Sequence, residues 1–116
     1  MRFLLYTNDD PGTAAPPNPE MMAELGKLTE ETTRSGVLLA TGGLDPTSTR
    51  VRSSDGKLTV TDGPFAETKE LTGGFALIEV KSPEEAVEWA KRFRKIVGDG
   101  ESVIKRIYGP EDFGQQ

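Results

Sequence analysis

Apolar positions along the chain switch between two periods, and each switch marks an element. Phe3 to Thr7 is a short run of aromatic and aliphatic residues that predicts a first strand. Between Asn8 and Pro19 four prolines and a glycine break any period, so this stretch reads as a loop. From Glu20 the spacing becomes helical. Met21, Met22, Leu25 and Leu28 fall on one side, Glu24, Lys27, Glu30 and Glu31 on the other, and Gly36 is placed to act as a C-cap. Val37 to Ala40 predicts a second strand, closed by Gly42-Gly43. Thr49 to Ser53 and Lys57 to Thr61 alternate around Ser54-Asp55-Gly56, a hairpin signal because Asp-Gly tolerates positive φ. Phe75 to Val80 predicts a further strand. Ser82-Pro83-Glu84-Glu85 then opens a helix with a capping box and a proline at its first position. Ala86, Ala90, Phe93 and Val97 line one face of that helix with Trp89 beside it, Gly98-Asp99-Gly100 ends it, and Val103 to Tyr108 is the last strand.

The order is β-α-β, an inserted hairpin, then β-α-β. That pattern predicts an α+β fold of the ferredoxin-like, split β-α-β kind, with both helices on one face of an antiparallel sheet. One domain over residues 1–110 accounts for it, with 111–116 as a flexible tail. In the two strands expected at the centre, both alternating sets are apolar: Phe3 and Leu5 against Leu4 and Tyr6, and Phe75 and Leu77 against Ala76 and Ile78. A sheet covered on one face only should carry polar residues on the other. Two helices cover one face, so the expectation is a homodimer in which a second copy covers the other.

Composition narrows the chemistry. Lys and Arg total 14 against 19 Asp and Glu, a net charge of −5, which disfavours nucleic acid. The most basic stretch, Lys91-Arg92-Phe93-Arg94-Lys95, lies on the second helix and reads as a solvated face near its C-terminus, with an anion site as the other reading. Cys and His are both absent. Thiol nucleophiles, disulfides and the usual transition-metal ligands are therefore missing, and no metal or other cofactor is expected. No run approaches the length of a membrane span, and the N-terminal apolar run is too short for a signal peptide, so a cytoplasmic protein is expected.

The most distinctive stretch is Thr61-Asp62-Gly63-Pro64-Phe65-Ala66-Glu67-Thr68-Lys69-Glu70, followed by Leu71-Thr72-Gly73-Gly74-Phe75. This run, DGPFAETKE and then GG plus an aromatic strand, together with SPEEAVEWA, is similar to the signature of the DGPF-motif branch of the YCII-related proteins. The resemblance extends over nearly the whole chain. It implies a ferredoxin-like fold whose protomers pair into a dimeric α/β barrel. It also implies a bacterial setting in which such genes often adjoin, or are fused to, extracytoplasmic-function sigma factors, so a sigma factor is an implied partner. The related YCII-type branch carries a His and an Asp as a suggested catalytic pair. This chain has no His, and that pair does not carry over.

Taken physically, Gly63-Pro64 forces a turn, and Asp62 can accept backbone amides across it. Glu67, Lys69 and Glu70 are either a solvated loop or a constellation at the mouth of a cleft, with Lys69 held between carboxylates. Asp62, Glu67, Lys69 and Glu70 are thus the candidate catalytic residues. Tyr6, Asp9, Thr41, Gly73 and Gly74 are the candidate ligand-binding residues, reaching one cleft from adjacent strand ends. The leading expectation is a homodimeric module that binds a small polar ligand and has a regulatory role. The alternative is an enzyme using Asp, Glu and Lys for proton transfer on a small molecule, and a third reading is an adaptor without pocket chemistry.

Overall fold

The computed structural model describes residues 1–8, 18–44, 48–62 and 74–113. Strands β1 (Arg2–Thr7), β2 (Leu38–Gly43), β3 (Thr49–Ser54), β4 (Lys57–Asp62), β5 (Gly74–Glu79) and β6 (Ser102–Ile107) alternate with helices α1 (Pro19–Arg34) and α2 (Pro83–Val97), and a short α3 (Pro110–Phe113) follows. Four strands form one antiparallel sheet in the order β2-β5-β1-β6, the ferredoxin-like arrangement, and β3 and β4 form a two-stranded sheet of their own among the described residues.

Local chemistry explains the element ends. Asn18 caps α1 by accepting the Met21 N–H at 2.8 Å, with Pro19 at the first helical position. Gly36, at φ +79°, turns the chain out of α1 into β2. Ser82 caps α2 by accepting the Glu85 N–H at 3.2 Å. The Glu85 carboxylate reaches back to the Lys81 N–H, at 3.0 Å, one residue earlier than a standard capping box would have it. Asp55 (φ 51°) and Gly56 (φ 78°) both take positive φ, the requirement of a two-residue hairpin turn. Pro110–Phe113, at the start of the expected tail, forms a helical turn in which Asp112 accepts the Gly109 N–H and pairs with Arg106 at 3.2 Å.

Pairing fixes which side chains meet. Phe3 lies opposite Ile78, and Leu5 lies opposite Ala76 and Ile104. These face the helices, and Phe3, Val37, Ile78, Val80 and Ala86 form the buried core. That core sits at the end of the sheet where β1 begins. On the other face Leu4, Tyr6, Phe75, Leu77 and Val103 are half-buried with nothing packed over them among the described residues. On α1 the buried side is Met21, Leu25, Leu28 and Thr32, whereas Met22, expected with them, is exposed. The β3–β4 hairpin is exposed throughout. Val51, Leu58 and Val60, 68, 73 and 67 % exposed, share its one apolar face.

Candidate functional site

The core closes one end of the helix–sheet layer, and the other end is open. Where β1 ends and β5 and β6 begin, the helices stand off the sheet and leave a cavity of about 370 Å³. Its floor is Leu5, Thr7, Ala76, Thr41 and Ser102 from the strands, and Leu25, Leu28, Trp89, Ala90 and Phe93 from the helices form the roof. The volume lies near the lower end of the ~300–1,000 Å³ typical of small-molecule pockets.

The small residues here explain the opening. Gly74 and Ala76 carry little side chain on the helix-facing side, where a larger one would fill the space. Gly42 has no room to grow on the opposite face, since a β-carbon there would lie 3.3 Å from the Phe75 ring. A register shift between Leu38 and Ala40 lets β2 continue through Gly42-Gly43 and turns Thr41 toward the helices, where it pairs with Ala76. The Thr41 hydroxyl donates to the Phe75 carbonyl at 2.8 Å, while the Gly74 N–H donates to the Thr7 hydroxyl oxygen at 3.1 Å. The Thr32 hydroxyl is spent on the Leu28 carbonyl at 2.8 Å.

Among the described lining residues, Thr7, Thr29, Thr32, Thr41, Arg94 and Ser102 bring polar side chains to a mostly apolar wall. The Ser102 hydroxyl is buried with no hydrogen-bond partner among the described residues, and Thr7 lies directly across from it. Arg94, whose Nε is buried, is the one charged side chain among the described residues that line the cavity. Its guanidinium lies 5.3 Å from the Phe93 ring centroid.

A second charged group holds the roof together. Arg92 of α2 makes a two-pronged pair with Glu31 of α1, at 2.6 and 2.9 Å, and lies 4.8 Å from the Trp89 ring centroid. The hydrogen bond from Arg92 lowers the Glu31 pKa below the usual carboxylate value, and the same bond raises that of Arg92. At the closed end the terminal amine and Arg2 do the same for Glu79, the amine dominating.

Of the residues singled out from the sequence, Tyr6, Thr41 and Gly74 border this cavity. Strand alternation sends the Tyr6 side chain to the opposite face, with Leu4. Asp62 lies at the end of β4, exposed, and accepts the Thr49 hydroxyl at 2.8 Å. Asp9, Glu67, Lys69, Glu70 and Gly73 lie outside the described residues. Arg94 and Ser102 were not singled out. Arg94 had a legible signal: it follows Ala86 and Ala90 at steps of four, on the buried stripe of α2, within a run otherwise read as a solvated face.

Comparison with known proteins adds three findings. A family model described as YCII-related domain matches residues 1–104. An uncharacterized protein, R00369, of Rhizobium meliloti (strain 1021) is 37 % identical over 93 residues, covering 76 % of this chain and 75 % of that protein. The solved 5-chloro-2-hydroxyhydroquinone dehydrochlorinase TftG of Burkholderia phenoliruptrix AC1100, in complex with 2,5-dihydroxybenzoquinone, is similar in fold. Its TM-score is 0.50 at 16 % identity, covering 97 % of this chain and 98 % of that one.

Proposed function

The chain belongs to the YCII-related family, and from that premise we propose that it is a small-molecule-binding homodimer whose ligand occupies the cleft between the sheet and the two helices. The Thr61–Glu70 run assigns it, within this proposal, to the DGPF-motif branch. The observation that carries the reading is the cavity itself. A small protein ordinarily packs its interior with few voids larger than a water. Here about 370 Å³ is left open in the layer where the core should continue. Its wall is mostly apolar, which shifts the expected ligand from a simply polar one to one with an apolar body and a polar end.

The test is a thermal-shift screen of small metabolites, with the single tryptophan, Trp89, as a fluorescent reporter in the cavity wall. A ligand at a hundred times its dissociation constant stabilises the native state by about 2.7 kcal/mol. Ala90→Phe, which pushes a ring into the cavity, should abolish the shift. A screen without any stabilising compound, or hits unaffected by Ala90→Phe, would refute the proposal.

The dimer rests on the open sheet face. Leu4, Tyr6, Phe75, Leu77 and Val103 form an apolar surface, and the hairpin presents Val51, Leu58 and Val60 beside it in sequence. An isolated two-stranded hairpin is marginal in water, so a covered hairpin face is physically favoured. A stacked pair of sheets should bury on the order of 800 Å² per partner. Light scattering with gel filtration should give twice the monomer mass.

A second reading makes the same cleft catalytic, and its support is that one protein similar in fold is a dehydrochlorinase solved with 2,5-dihydroxybenzoquinone. Proton transfer would then fall to Asp62, Glu67, Lys69 or Glu70. Turnover lost in Lys69→Ala with folding retained would favour it over simple binding. The sigma-factor link belongs to the binding reading as its output, and is tested by whether a screen hit alters co-purification of the two proteins.

A further inference from the structure

Resting on the reading of the chain as a homodimer, we infer that the β3–β4 hairpin is an exchanged arm, whose apolar face lies on the open sheet face of the second copy.

The hairpin's sequence builds two unlike faces. Cross-strand pairing puts Val51 beside Val60 and Leu58 beside Ser53 on one side, and Arg50, Arg52 and Lys57 with Thr59 and Thr61 on the other. Asp55 and Gly56 close the turn at positive φ, and the Thr49 hydroxyl donates to the Asp62 carboxylate across the base at 2.8 Å. The arm is thus formed in advance, and docking it carries little further ordering cost. Its apolar side is uncovered. Val51, Leu58 and Val60 are the most exposed large hydrophobic residues among those described, and a grouped patch of that kind marks an interaction surface.

A second copy is the occupant that fits. The same chain carries another uncovered apolar surface, Leu4, Tyr6, Phe75, Leu77 and Val103, so a symmetric pair brings two arms and two faces and leaves none open. A foreign partner on the arm would leave the sheet face in water. The dimensions agree: strands of 6 residues extend about 20 Å, and a sheet of four strands is roughly 14 Å across. The rims carry opposite charges, since Asp62 lies on the apolar side of the hairpin, across from Thr49, and Lys105 lies on the open side of the sheet, across from Leu4. The sheet face is also made of side chains already half-buried, a small reserve against the ~800 Å² per partner of a stable pair. The arms supply the missing area.

The experiment first fixes the mass of the full chain by light scattering, then mixes isotope-labelled and unlabelled copies. Isotope-filtered NOE spectra should connect the Val51, Leu58 and Val60 methyls of one copy to the Tyr6 and Phe75 rings of the other. Val60→Asp puts a charge into the covered face and should weaken the dimer by about a hundredfold or more. Thr59→Asp, on the cationic side of the same arm, should change it by no more than about twofold. Both positions are exposed and lie outside the buried core, so both variants keep a folded protomer against which association is read. A dimer whose hairpin methyls meet only their own chain or solvent, or one that the two substitutions weaken alike or not at all, would overturn the arm and leave the stacked sheets standing. A hairpin that meets anionic lipid vesicles, with no contact between copies, would overturn it as well. A monomer at every concentration would overturn the dimer reading beneath it.

Discussion

Leu77 and Ile78 are neighbours on β5 that point to opposite faces, and truncating each in turn measures what covers the sheet. Ile78 is 3 % exposed, packed between the strands and the helices. Ile78→Ala should cost about 2–5 kcal/mol, the transfer term plus the cavity left behind. Leu77 is half-buried on the open face, opposite Leu4 of β1. If that face met only water, Leu77→Ala would remove three carbons at partial burial. At ~0.8 kcal/mol per fully buried methylene this comes to about 1 kcal/mol. If a second copy covers it, the carbons are fully desolvated and the cost rises to the same ~2–5 kcal/mol. Urea unfolding over a wide range of protein concentration separates the cases. The wild-type midpoint should rise with concentration, because association stabilises only the folded chain. Leu77→Ala should cost nearly as much as Ile78→Ala and flatten that dependence, whereas Ile78→Ala should keep it. A Leu77→Ala cost near 1 kcal/mol, with a wild-type midpoint independent of concentration, would refute the covered face.

Three further outcomes follow from named contacts. Ser82→Ala removes the α2 cap and should lower stability by ~1 kcal/mol in a urea melt, with Ser82→Asp close to wild type. Arg92→Met breaks the pair with Glu31 that ties α1 to α2 over the cavity, and should weaken binding of any cavity ligand more than it changes the melting midpoint. Glu31 and Glu79 have folded-state pKa values below the usual 4.5. Their contribution is therefore present above that value and lost as pH falls through the folded one. Urea midpoints should drop on acidification below about pH 4.5, and less steeply in Glu31→Gln.

Most of the fold was legible because local chemistry and the global arrangement agree. The Asp55-Gly56 turn, the Ser82 cap and the doubly apolar β1 and β5 each pointed to the element found. Met22 misleads because helical spacing alone admits it to the apolar side, while along α1 it is Met21, Leu25, Leu28 and Thr32 that are withdrawn from solvent. β2 runs past its expected end at Ala40, since Gly42 and Gly43 have poor strand propensity and pairing with Phe75 and Gly74 carries them into the sheet. The cavity was not legible, because periodicity says which way a side chain points and nothing about whether the space it enters is filled. Arg94 is masked in the sequence for a related reason: five consecutive residues with four cations suggest a solvated face, although its spacing from Ala86 and Ala90 places it inward.

The most direct measurement on the central claim is an amide and indole NMR titration of the protein with the most stabilising compound of the metabolite screen. The largest shifts should fall on Thr7, Thr41, Gly74, Ser102 and the Trp89 indole, with the β3–β4 hairpin unmoved. Shifts confined to the hairpin or to the outer faces of α1 and α2, with those cavity resonances unchanged at saturation, would contradict it.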